Sequence, residues 1–352
     1  MQRYGLMQVG HPLADGETIE SRIQSVQSDL NLHFFHINPA RHFESRLWSI
    51  IRLADNQGSD DPVANDDPGS LFSRFRSLLA EMPFSQDDNP DDGVSSEALV
   101  ALEAHSLMHH VMETALRLFV MLSELQMGQS PWIPLAELPA NVVFRRKVKS
   151  LLSGSEAAQT AVRVAIPHYD QLAKAVGKEQ ALAHARFVAQ WLMFFAELFD
   201  QDGYNAAQSH NQTKHGMAAI ARNDVKWTLV QDLEDPAAPT VAELNRGYDL
   251  INAVSITYLS KIRTKGQGGA HGWALRTDNA DPSLCLAVAQ AGICVVRSLW
   301  QVSRMIAEPG TEHDYEHNGS PLPQVVFDRS ESGFQSIATE LIPPSTLLPS
   351  SN

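Results

Sequence analysis

The stretch Leu182 to Phe199 is apolar round most of a helical circumference, with Phe187, Trp191, Leu192, Phe194, Phe195 and Leu198 spread over it. A helix of that kind has no broad face to give to water. It demands neighbours on nearly every side, and so predicts a multi-helix assembly built around it. Its polar positions Arg186, Gln190 and Glu197 fall on one narrow line. Because an unpaired buried charge is strongly unfavourable, that line either walls a polar pocket or marks where the helix edge reaches solvent.

Helical periodicity recurs along much of the chain. It predicts helices over Glu17–Leu32, Ala40–Ala54, Glu97–Gln126, Lys178–Phe199, Asn205–Arg222, Thr240–Arg263 and Pro282–Ala307. A further helix over Ser155–Val176 is broken or kinked at Pro167. His33–Ile37 reads as a strand or an aromatic plug, and Asp224–Asp232, with Val225, Trp227, Leu229 and Val230 in partial alternation, as the leading strand candidate. Gly266–Asn279 reads as a Gly-rich loop. The expected fold is therefore all-α, a multi-helix bundle with little or no β-strand. Four regions follow: N-terminal helices over 1–54 packing on the bundle, an acidic loop or insertion over 55–93 with one short helix, the main bundle over 94–308, and a flexible polar tail over 309–352.

Composition narrows the function classes. Apolar residues at 43% and charged residues at 19% describe an ordinary globular chain with a sizeable core. The net charge of −14 argues against a general affinity for nucleic acid or anionic membrane, since phosphate binding needs clustered Lys and Arg. About half of that charge sits between Asp55 and Asp92, and the one basic cluster is Phe144-Arg145-Arg146-Lys147-Val148-Lys149. Cys285 and Cys294 share one helical pattern, roughly 13 Å apart along its axis, which excludes a bond between them. They read as buried thiols in a reducing compartment. With no basic, apolar signal segment at Met1–Gly10 and Trp191–Ala196 as the longest apolar run, the expectation is a cytoplasmic protein without a membrane partner.

The densest chemistry lies just after the central apolar helix. On a helix, Tyr204, Gln208, Asn211, His215 and Arg222 fall almost on one line, with Lys214 beside them. A phenol, two amides, an imidazole and a guanidinium on one stripe describe either a site or an exposed polar face. The helix Glu97–Gln126 offers a second polar arc of Glu103, His105, Ser106, His109, His110, Glu113 and Arg117. His105 and His109 could face one ion, but Ser106 stands where a zincin carries Glu, and no paired Glu-x-x-His of a di-iron bundle is present. The arc is read as a solvated or partly buried polar face with Glu113 and Arg117 as an ion pair, and no metal is expected.

Other motifs fall away on inspection. Aligning Asp202-Gly203 on a calcium loop puts Leu198 at the first ligand position and Ser209 where Glu is required. Lys265–Gly272 lacks both the P-loop and the dinucleotide spacing. No Gly-x-Ser-x-Gly elbow exists, so no nucleophile or cofactor is expected.

Asn211 followed by Lys214-His215-Gly216, after a central apolar helix, resembles the all-α HEPN superfamily. Its catalytic members are metal-independent endoribonucleases that often act as dimers. Their motif sets an Arg, then a polar residue, a few positions ahead of a His. The resemblance covers roughly residues 95–300 in layout. It implies His215 as the motif His and Asn211 or His210 as its polar residue, while Ser209 stands where the Arg belongs. Arg186 or Arg222 would then supply that charge in space, or Lys214 beside it. On this reading His215 is the general acid or base and Asn211 orients the phosphate or the imidazole. The absent Arg and the acidic chain leave two expectations. The first is a non-catalytic binding or scaffold protein with a polar pocket around Asn211 and His215, lined by Tyr204, Gln208, Lys214, Arg222, Arg186, Glu113 and Arg117. The second is a metal-independent endoribonuclease. A homodimer is the expected assembly, with a protein or an RNA as the further partner.

Overall fold

A computed structural model of the chain describes residues 18–55, 96–138, 142–151, 173–174, 177–200, 219–222, 227–229, 248–251, 254–263, 271–279, 281–311, 322–328 and 336–342. Its helices are α1 (Ile19–His36), α2 (Pro39–Asp55), α3 (Ser96–Leu122), α4 (Trp132–Ala136), α5 (Val142–Leu151), α6 (Lys178–Asp200), α7 (Pro282–Ala307) and α8 (Pro323–Asp328). Its strands are β1 (Ala219–Arg222), β2 (Trp227–Leu229), β3 (Tyr248–Ile251), β4 (Ser255–Arg263), β5 (His271–Asn279) and β6 (Ser336–Ile342). Helix predominates among the described residues, but the expectation of little or no strand fails.

The chain forms two compact units. The first is made of Met1–Phe43, Val111–Asp200 and Ala291–Val325; the second of Glu44–His110, Gln201–Gln290 and Val326–Asn352. Thus α2, α3, α7 and α8 each give residues to both.

Local chemistry sets the helix ends. Thr18 and Ser21 form a reciprocal capping box at the start of α1, with Ser21 N donating to Thr18 Oγ1 at 3.1 Å and Thr18 N to Ser21 Oγ at 3.0 Å. The aromatic run at His33–His36, expected as strand or plug, continues α1 instead. The helix ends at Ile37, which is extended, and Asn38 then caps α2 by accepting from Ala40 N at 2.9 Å. Pro39 fits the first helical position because its missing N–H would have had no partner there. Asp281 and Pro282 repeat this device at α7, where the Asp281 carboxylate accepts from Ser283 N at 2.9 Å and Leu284 N at 3.3 Å.

In the first unit α6 is the central helix that its sequence requires. Trp191, Leu192, Phe195 and Ala196 are wholly buried, and Trp191 packs on Phe194 and Phe195 with ring centroids 5.6 and 5.5 Å apart. α5 lies on α6 through Phe144 and Val148, and the Phe144 ring meets Phe199 edge-on at 5.7 Å. Gly292 of α7 faces α3 and α6 so closely that a Cβ there would stand 2.5 Å from Val111 Cγ1 and 3.2 Å from Phe195 Cζ. Near the end of α7, Gly128 N donates to Ile306 O at 2.9 Å and Asn31 Nδ2 to Ala307 O at 3.4 Å, satisfying carbonyls the helix itself cannot pair. Gly128 takes φ +74°, a conformation that side chains with a Cβ rarely adopt. By length and composition α7 could cross a membrane, with mean hydropathy 1.6, but 72% of that window is buried inside the protein, as befits a core helix.

In the second unit an antiparallel sheet runs in the order β1-β4-β5-β6, and β2 pairs with β3 separately. Three expectations are corrected here. The helix foreseen over Asn205–Arg222 ends in strand β1, and residues 205–218 lie outside the described residues. The helix foreseen over Thr240–Arg263 holds β3 and β4. The loop foreseen over Gly266–Asn279 becomes β5 from His271 onward. Val254, Ile256 and Tyr258 alternate toward one face and are buried with Ala98 and Ala101 of α3. That burial decides for strand, since β-branched and aromatic side chains suit a pleated, half-covered surface. The region taken as a polar tail supplies α8 and β6. The expected strand near Asp224–Asp232 is present as β2. The acidic segment 56–95, and the predicted Ser155–Val176 helix apart from 173–174, lie outside the described residues.

Gly292→Ala tests the close approach. Alanine in a helix normally gains about 1 kcal/mol over glycine. Here the branched Val111 must yield, and overpacking on the scale of about 1–3 kcal/mol should win. The expected result is a lower urea midpoint by circular dichroism, with Gly292→Val lower still.

Candidate functional site

Of the residues singled out in the sequence, Tyr204, Gln208, Asn211, Lys214 and His215 lie outside the described residues. Arg222 is described, and it is exposed on strand β1, where its backbone oxygen accepts from Ser255 Oγ at 3.5 Å. The stripe Tyr204–Arg222 therefore does not run along one helix to its end. Arg186 is exposed on α6. Glu113 and Arg117 do form the expected i,i+4 pair, with Arg117 Nη2 2.7 Å and Nε 2.8 Å from Glu113 Oε1. The Arg117 guanidinium also lies 4.7 Å above the Phe144 ring, so its position on α3 is fixed by a carboxylate and an aromatic face together.

The polar arc of α3 divides by depth. Glu103 is exposed, Ser106 and His110 are half-buried, and His105 and His109 are buried. The reading of one solvated or partly buried face is corrected for those two imidazoles. Helix α2 completes the outer part of the arc. Arg46 Nη1 lies 2.8 Å from His110 Nδ1, which accepts when the ring proton is on Nε2, and Arg46 Nη2 lies 3.5 Å from Glu103 Oε2. Burial alone holds His105 neutral and pushes its pKa down to about 4. Among the described residues, no three His, Cys, Asp or Glu side chains are grouped so as to hold a metal ion.

The strongest polar constellation among the described residues was not foreseen. It lies on the face of the β4–β5 hairpin that carries Ile256, where Tyr258 stands opposite Arg276 and Ile256 opposite Asp278. Alternation puts Tyr258, Ser260, Arg276 and Asp278 on that one face. Tyr258, Ser260 and Asp278 are all buried. Arg276 Nε donates to Ser260 Oγ at 3.2 Å, and Ser260 Oγ donates onward to Ala274 O at 3.3 Å. The Tyr258 phenol is pushed far above the usual tyrosine range, first by burial, then by the Asp278 charge and by Asp278 as its acceptor, with Arg276 pulling the other way. The phenol thus stays protonated beside a buried carboxylate and a guanidinium. On the opposite face Thr257 and Thr277 hydrogen-bond at 3.1 Å, while Leu259 and Leu275 reach solvent. The signal that could have found this site is the pair of runs Ser255–Arg263 and His271–Asn279 flanking a short segment with Gly266, Gly268 and Gly269, a hairpin pattern.

Two measurements probe these interiors. His105 has its folded pKa depressed, so between pH 6.5 and about 4 the unfolded chain binds the extra proton. Stability is then intact above pH 6.5 and falls as pH drops toward 4, by up to about 3 kcal/mol. His105→Gln should flatten the dependence of the urea midpoint on pH across that window. Tyr258→Phe keeps the ring and removes a buried hydroxyl, and should cost no more than about 1 kcal/mol in the same assay at pH 7.

The chain matches no family model, no curated protein and no solved structure.

Proposed function

We propose that the chain is a non-catalytic binding or scaffold protein of the cytoplasm, with Asn211 and His215 as the centre of its polar pocket. One observation carries most weight: Ser209 stands where the motif Arg belongs, and the chain is acidic overall with net charge −14, which disfavours a polyphosphate substrate. Cys285 and Cys294 are both buried and neither is in a disulfide, which fits a reducing compartment.

The second reading is a metal-independent endoribonuclease, and its support is the spacing of Asn211, Lys214 and His215. Incubating the protein with mixed RNA, with and without EDTA, beside the His215→Ala variant separates the two. The binding reading expects no cleavage in any tube and His215→Ala affecting only stability or partner affinity. EDTA-resistant cleavage that falls at least about a hundredfold in His215→Ala, the lower scale of general acid–base catalysis, would replace it with the ribonuclease reading.

A further inference from the structure

We draw no further inference here: the strongest candidate, the outer stripe of α2 that carries the exposed Arg41, Trp48 and Arg52, is an unpartnered helix face, and nothing in the structure shows what covers it.

Discussion

The first unit depends on how closely α7 lies against α3 and α6. At Gly292 the absence of a side chain lets the α7 backbone approach until Val111 and Phe195 fill the space that a Cβ would take. That contact sits beside Trp191, Leu192 and Phe195, which are buried completely and contribute about 1.5–3 kcal/mol each by leaving water. Packing of this density is unforgiving, because a few tenths of an ångström separate full contact from overlap. The polar ties at the far end of α7, from Gly128 and Asn31 to its last carbonyls, matter for the same reason. They satisfy the groups that a deeply packed helix end leaves without partners.

The second unit meets a different problem, since its interior contains ionisable groups. Asp278, Tyr258 and Arg276 share one sheet face, and Tyr258 is part of the apolar cluster with Ala98 and Ala101. A carboxylate in such a place is tolerable only with donors and a nearby cation. Arg276 shares that face, where its Nε donates to Ser260 Oγ and Ser260 donates in turn to the Ala274 carbonyl. His105 meets the same constraint by remaining uncharged. Among the described residues, the groups whose protonation is displaced are buried, and burial leads each shift.

The sequence by itself determined the long helices of the first unit. Leu182–Phe199 could only be a central helix, because no other structure buries an apolar surface on nearly all sides. Asp281 and Pro282 set the start of α7 through a cap that acts over a few residues. The Glu113–Arg117 pair was legible for the same local reason. The sheet was not. Tyr248, Ile251, Val254, Tyr258 and Ile262 satisfy helical spacing, while Val254, Ile256 and Tyr258 also satisfy alternation, and no local term separates the two. Pairing with β1 and β5, and the docking of Ile256 and Tyr258 onto Ala98 and Ala101, decided it. The polar cluster of Tyr258, Arg276 and Asp278 was hidden for that reason, since its members become neighbours only when two strands pair. The depth of His105 and His109 was likewise set by what packs over α3. Local sequence fixes backbone preference within a few residues, but burial and cross-strand register belong to segments far apart in the chain, and only the tertiary structure brings those together.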